Sequence, residues 1–222
     1  MCGRFVRTID LREAGEVFRA ALIESDLKAS FNIAPKQLIA VILEEGKRKI
    51  VSMQWGLIPH WAKDPKIGYK MINARVETIT EKPSYREAFK KRRRLIIANG
   101  FYEWKTGPGG AKTPVYIFLK DNKTFGMAGI YETWKSPVGE AISTCSIITT
   151  EANEFMKPIH TRMPVIVDPE EYDQWLDPNS SDPEKLMKIL KPFPSEKMQN
   201  HYVSSAINSP YHNAEDCIVS VG

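Results

Sequence analysis

Between residues 95 and 150 the chain alternates short apolar runs with turn formers, and that alternation leaves little room for anything but a compact antiparallel sheet. The runs at 95–104, 115–120, 125–131 and 142–150 have strand length and are rich in Ile, Tyr, Phe, Trp and Thr. Gly107-Pro108-Gly109-Gly110 and Asp121-Asn122 fall between them and supply turns. Earlier, β-like runs at 38–43 and 49–57 are joined by Glu44-Glu45-Gly46-Lys47 and read as a hairpin. Residues 163–167 add another expected strand.

Helices are expected to be few and short. Asp10 with Glu13 makes a capping-box-like start, and Leu11, Ala14, Val17, Phe18, Ala21 and Leu22 follow at helical spacing, which predicts a helix through Leu22. Ser84 with Glu87 opens a second helix ending in the basic run 90–94. Proline near the first turn marks helices at 169–176 and 183–190. With no internal repeat, low-complexity tract or long linker, residues 1–222 are expected to form a single α+β domain. Its centre would be a curled, barrel-like, mostly antiparallel sheet flanked by short helices.

Composition narrows the function classes. With 42% hydrophobic and 26% charged residues and a formal charge of +4, the chain reads as globular rather than disordered or coiled-coil. No apolar run approaches the roughly 20 residues of a membrane-spanning helix, and nothing at the start reads as a secretory signal, so an intracellular, cytoplasmic protein without a membrane partner is expected. The 3 cysteines, Cys2, Cys145 and Cys217, form no CxxC pair, and they show no metal-ligand spacing with the 4 histidines. No glycine-rich phosphate loop is present, so neither a cofactor nor a metal is expected. Cys145 and Cys217 adjoin apolar residues and read as small buried hydrophobes. Cys2 differs, as a free thiol on a terminal segment expected to be frayed.

The position of Cys2 permits particular chemistry. Removal of Met1 would leave an α-amine of pKa about 7.7 to 8.0 beside a thiol near about 8.5, both partly nucleophilic at neutral pH. With an aldehyde the amine forms a Schiff base, and the thiolate then closes on the same carbon to give a thiazolidine, which no internal cysteine can do. The alternative is acyl transfer, with the thiolate attacking a carbonyl and the terminal amine as its base. Gly3, which permits close backbone approach, and Arg4, a fixed neighbouring cation, favour a functional Cys2 over a merely tolerated one.

Three further groups sit oddly for a plain core. In Gly100-Phe101-Tyr102-Glu103-Trp104, strand alternation sends Tyr102 and Trp104 to one face and Phe101 and Glu103 to the other. Glu103 is then either a proton-transfer carboxylate raised by apolar surroundings or an edge-strand residue in solvent. Asn73 and Arg75 share a face of an extended segment, with Arg75 pairing Glu77 or clamping a substrate. His160 stands two residues before Arg162 as a proton-transfer candidate, while His60, His201 and His212 read as structural. The basic run 90–94 suits either phosphates or a helix C-terminus. Trp61, among Lys63, Lys66 and Lys70, is suited to stacking on unpaired bases, whereas Trp55 reads as core.

Six ordered motifs resolve these alternatives together. Met1-Cys2-Gly3-Arg4-Phe5, Asn32-Ile33-Ala34-Pro35, Trp55-Gly56-Leu57-Ile58-Pro59, Asn73-Ala74-Arg75-Val76-Glu77-Thr78, Gly100-Phe101-Tyr102-Glu103-Trp104 and His160-Thr161-Arg162-Met163-Pro164 resemble, in order, those of the SOS-response-associated peptidase (SRAP) family. The resemblance implies self-removal of Met1 and crosslinking of Cys2, as a thiazolidine, to the ring-opened aldehyde of an abasic site in single-stranded DNA. It implies catalytic roles for Cys2, Asn73, Glu103 and His160, and DNA contacts from Gly3, Arg4, Trp61, Arg75, Thr149 and Arg162. The implied partner is abasic single-stranded DNA, including single-strand/double-strand junctions, engaged by a monomer. Ala62 stands where some relatives carry a second Trp, which implies weaker stacking, and Arg94 and Asn99 stand where relatives often have Cys and Asp. Arg94 would extend a phosphate-facing surface or a solvated strand end. The competing readings are an N-terminal-nucleophile amidase or peptidase, using Cys2 with His160, and a single-strand-binding module without chemistry.

Overall fold

In the computed structural model, which describes residues 2–22 and 27–221, the apolar runs become strands. These are β1 Phe5–Arg7, β2 Ala21–Leu22, β3 Ser30–Ile33, β4 Leu38–Glu45, β5 Lys47–Trp55, β6 Asn73–Arg75 and β7 Arg93–Ala98. Then follow β8 Gly100–Thr106, β9 Lys112–Leu119, β10 Phe125–Lys135, β11 Ala141–Glu151, β12 Arg162–Pro164 and β13 Met198–Tyr202. Four α-helices lie among the described residues: α1 Leu11–Phe18, α2 Arg86–Lys91, α3 Tyr172–Leu176 and α4 Pro183–Ile189. The expected β4–β5 hairpin forms, turning at Gly46 with φ +73°, a conformation glycine adopts without a Cβ clash.

Strands β5, β4, β7, β10 and β11 pair antiparallel in that order, and β11 then meets β5 in parallel, Thr144 opposite Gln54 and Cys145 opposite Trp55. That last pairing closes a five-stranded mixed barrel, so the expected α+β class with a curled, mostly antiparallel sheet holds. Strand β2 adds to β5, and β6 and β12 add to β11, while β13, β9, β8, β1 and β3 make a second, antiparallel sheet. Alternation along β7 divides two cores. Leu95 and Ile97 pack with Phe89, Trp175 and Leu186 from the helices, while Ile96 and Ala98 pack with Phe101 and Ile117 of the second sheet. Each fully buried Ile, Leu or Phe stabilises the fold by about 1.5 to 3 kcal/mol relative to exposure. At the start of β8, Gly100 lies under the Tyr116 ring, where a Cβ would come within 2.4 Å.

Several local expectations are corrected. The first helix stops at Phe18 because Arg19 turns left-handed (φ 52°, ψ 45°), and Ala21 and Leu22 then pair in parallel with Lys49 and Ile50. Val17, expected on the apolar face, is exposed. Asp10 does cap the helix, accepting from the Arg12 N–H. Ser84 does not cap the second helix, which begins at Arg86 after Tyr85 without a side-chain cap. Helices near 169–176 and 183–190 form as expected, each with proline in its opening turn.

The basic run is the larger correction. Only Lys90 and Lys91 end the helix; Arg93 and Arg94 enter β7 and are buried. Arg93 donates to the carbonyls of Phe89, Lys90, Trp175, Asp177 and Ser180, tying α2 and α3 to the barrel. Arg94 lies 3.7 Å from the Tyr131 ring centre and pairs with Glu45 at 3.2 Å, so it faces neither phosphate nor solvent. Asn99 holds the Thr8 and Ile9 N–H groups and donates to Thr124. Because Arg93→Met would strand several buried carbonyls at once, it is expected to destabilise the protein by about 3 kcal/mol or more. Thermal unfolding should show this as a midpoint lowered by about 10 °C.

Candidate active site at Cys2

Strand β1 runs antiparallel to β8 with Phe5 opposite Phe101, and the Tyr102 N–H donates to the Arg4 carbonyl at 3.0 Å. The pairing therefore continues past the strand end and draws the Cys2-Gly3 segment alongside Glu103. The frayed terminus expected from sequence is not observed: Cys2 is fully buried in the core that holds Phe5, Trp55, Phe101 and Ile147. Its carbonyl accepts from Asn73 Nδ2 at 2.8 Å. Its thiol is pushed up, first by burial and then by the Glu103 charge, and its contact with the Arg4 carbonyl is long at 4.0 Å. A thiol so placed is unreactive until a base takes its proton.

Glu103 is well placed for proton transfer. It is only 2% exposed on β8, an interior strand between β1 and β9, so the edge-strand reading fails. The expected alternation holds: Phe101 packs in the core of Cys2, while Tyr102 packs with Tyr116 on the other side. Burial raises the Glu103 carboxyl to about 7, within the range a general acid/base uses at neutral pH. His160 is half-buried, and its Nδ1 lies 2.9 Å from the Arg162 backbone nitrogen and 3.2 Å from the Arg162 carbonyl oxygen. Burial lowers its pKa; a hydrogen bond to the Arg162 backbone opposes the shift, and the Arg162 and Lys112 charges add to it.

Strand β11 gathers the other candidates. It pairs in parallel with β6, placing Asn73 opposite Ile147 and Arg75 opposite Thr149, and antiparallel with β12, placing Arg162 opposite Glu151. Arg162 Nη2 donates to the Thr149 carbonyl (2.6 Å) and to Thr149 Oγ1 (3.3 Å). Glu77 pairs with Arg162 through both carboxylate oxygens, not with Arg75, which is exposed. Arg4 turns inward, donating to Asn32 Oδ1 (2.7 Å) and to the Ile207 (2.6 Å) and Asn208 (3.3 Å) carbonyls. Gly3, beside it, is partly exposed. Trp61 is 52% exposed on the loop after β5. Neighbouring Ala62 is buried, its carbonyl accepting from Trp134 Nε1 at 2.7 Å.

Sequence reasoning missed the groups that hold these side chains. Tyr85 OH donates to the Asn73 carbonyl (3.3 Å), and Trp55 Nε1 donates to the Ile72 carbonyl (2.9 Å), so both flank Asn73. Buried Asn32 donates to the Ile207, Ser209 and His212 carbonyls, locking the segment against which Arg4 rests. Only its place in a motif marked it. Lys112, whose charge reaches both Glu103 and His160, carried no local signal. The other histidines are held: His60 by Glu132, His201 by the Ile218 carbonyl and His212 by Asp216. Folding does gather His212, Asp216 and Cys217, with donor atoms within 4.8 Å of one another, a grouping that sequence spacing had not suggested. A cavity of about 750 Å³ beside Leu119, Phe125, Tyr172 and Phe193 is lined by none of the candidate residues.

A closed five-stranded barrel, a second antiparallel sheet, and Cys2 buried between an amide on β6 and a carboxylate on β8 define the class to which the chain belongs. The chain belongs to the SOS response associated peptidase (SRAP) family, whose model matches residues 1–210. It is 44% identical over 223 residues to the abasic site processing protein YoqW of Bacillus subtilis, covering 99% of this chain and 100% of that one. It is 33% identical over 233 residues to the abasic site processing protein HMCES of Gallus gallus, covering 90% of this chain and 68% of that one. A crystal structure of a protein from Bacteroides thetaiotaomicron superposes with TM-score 0.89 at 30% identity, covering 99% of this chain and all of the other. No helix of the described residues is long and apolar enough to cross a membrane.

Proposed function

We propose that this protein processes abasic sites in single-stranded DNA, capturing the ring-opened sugar aldehyde on Cys2 after Met1 has been removed. The observation that carries the reading is the burial of Cys2 against two independent groups, its carbonyl on Asn73 and its thiol within reach of the Glu103 charge. A residue 2 without a role would have no need of either. The names of the relatives above, abasic site processing proteins, support the abasic site as the substrate.

In this reading residues 1–222 act as one domain and a monomer, and hydrolysis of the Met1–Cys2 bond by the protein itself frees the Cys2 amine. The deoxyribose opens as its C1′–O4′ bond breaks: the anomeric hydroxyl gives its proton to the Glu103 carboxylate and the ring oxygen takes one up from water, with the His160 ring hydrogen-bonded to the departing oxygen, which leaves the open aldehyde. The amine attacks the aldehyde carbon, and Glu103 shuttles protons as water leaves and a C=N bond forms. The Cys2 sulfur then adds to that carbon while its proton passes to the nitrogen. One water is lost overall, and the thiazolidine shields the lesion from strand cleavage. Run in reverse, with one water consumed, the same steps release the intact abasic strand. Asn73 holds the Cys2 carbonyl so that amine and thiol face the same carbon. Arg75, already exposed, is the first candidate for a phosphate, with Arg162 and Gly3 lining the strand and Trp61 stacking at a junction; Thr149, fully buried, acts by holding Arg162, and Arg4, turned inward onto Asn32, Ile207 and Asn208, acts by fixing the Cys2 segment rather than by touching DNA.

Purified protein mixed with a single-stranded oligonucleotide carrying one abasic site should give a band shift that survives heat and SDS, while an undamaged strand should not. The intact mass of the adduct should equal the chain without Met1 plus the DNA minus one water. An absent adduct from protein already lacking Met1 would overturn the reading in favour of the amidase. Asn73→Ala is expected to slow adduct formation about tenfold or more, because the Cys2 carbonyl loses its donor. Single-turnover rates measured by gel check this.

A further inference from the structure

Arg162 and Glu77 make a two-pronged ion pair at the edge of the site. Arg162 Nη1 meets one Glu77 oxygen at 2.5 Å and Nη2 meets the other at 3.0 Å. The two members are held very differently. The guanidinium is anchored to the barrel by the Thr149 carbonyl and hydroxyl, and its side chain is only 15% exposed. Glu77 comes from the short helical turn Val76–Thr78 after β6, and its side chain is 50% exposed. The hydrogen bonds from Arg162, with the charges of Arg162 and of Arg75 two residues earlier in the chain, hold the Glu77 carboxyl below the usual carboxylate range. The carboxylate therefore sits at the solvent side of a fixed guanidinium and close to a second cation. A phosphodiester presents a guanidinium with the same pair of anionic oxygens.

We propose that Glu77 is a stand-in for a DNA phosphate: it fills the Arg162 fork in the free protein and is displaced when a backbone phosphate takes its place. The inference rests on the DNA reading above and deepens it by naming what sets the affinity for the strand. Water reaches the half-exposed Glu77 carboxylate and screens the pair from that side, so Glu77 can swing away, while Arg162, held by Thr149, stays aligned for its replacement. Every strand that binds must first displace Glu77, so passing undamaged DNA is held loosely. A strand anchored covalently at Cys2 pays that cost within a single complex. Glu77 thus separates captured from uncaptured DNA without touching the reacting atoms.

The test is non-covalent binding of an undamaged fluorescent single-stranded oligonucleotide, followed by anisotropy over a range of salt concentrations. The proteins compared are wild type, Glu77→Gln, Glu77→Gln with Arg162→Gln, and Glu196→Gln as an equal change of charge elsewhere. Abasic adduct formation by wild type is scored in parallel. Glu77→Gln should tighten binding about tenfold, equivalent to about 1.4 kcal/mol, and steepen the log–log salt slope by about 0.7, the value for one more phosphate contact. The double variant should lose that gain, and Glu196→Gln should bind as wild type does. Equal or weaker binding by Glu77→Gln, or a gain that persists without Arg162 or recurs in Glu196→Gln, would overturn the inference while leaving adduct formation intact. Wild-type protein that neither binds the strand nor forms the adduct would overturn both readings.

Discussion

Cys2→Ala is expected to form no heat- and SDS-stable adduct with an abasic oligonucleotide, a loss of at least about 1,000-fold in covalent capture. Alanine lacks the sulfur that closes the ring, so nothing converts a reversible Schiff base into a stable product. Cys2→Ser separates the two halves of the chemistry. Its terminal amine should still give a Schiff base that borohydride traps, while heat and SDS without reductant should leave no band. Structural damage does not account for such a loss, because deleting one small buried sulfur from the Cys2 core should cost only about 1 kcal/mol. A thermal midpoint within a few degrees of wild type checks that. Stable adduct from Cys2→Ala would move the attachment elsewhere and sink the assignment of Cys2.

Glu103→Gln is expected to slow capture by about 100-fold or more while making the protein more stable. The first effect follows from losing the group that shuttles protons beside Cys2. The second follows from burial, which raises the carboxyl to about 7 in the fold. A raised carboxyl pKa means that the folded state holds its proton where the unfolded chain has released it. Stability is then full below the ordinary carboxylate range near about 4.3, is lost as pH rises towards about 7, and stays reduced above that. Glutamine carries no such penalty. The variant should gain about 1 to 3 kcal/mol at pH 8 and almost nothing at pH 4, which denaturant unfolding at the two pH values would read. Wild-type capture should also fall as pH drops through about 7, where Glu103 loses its base form. Wild-type activity in Glu103→Gln, or destabilisation of that variant at pH 8, would remove Glu103 from the proposed mechanism.

Which parts were legible in advance follows from the range of the forces involved. The β4–β5 hairpin, the alternation along β8 and the proline-led helix at Pro183 are set by dihedral preferences and side-chain periods within a few residues, and each formed as read. The candidate site was legible for a different reason. Asn73, Glu103, His160 and Arg162 stand out because polar groups inside apolar runs are costly and need a cause. Where the local reading failed, a distant partner had intervened. Leu22 left its helical pattern to pair with Ile50. Arg93 and Arg94 left the basic run because α3, its C-terminal carbonyls and Glu45 offered them buried partners.

The sequence by itself determined the strand-rich α+β class, the turns, the family and the residue types available for chemistry, since all of these reside in local pattern and ordered motifs. Only the tertiary structure decided that Cys2 is buried rather than frayed, that Glu103 titrates near about 7, and that Glu77 answers Arg162 rather than Arg75. Each of these depends on the parallel contacts β11 makes with β5 and β6 and on the laying of β1 against β8. Those pairings join segments far apart in the chain. Burial, and with it the dielectric that shifts a carboxyl or silences a thiol, exists only once they have formed.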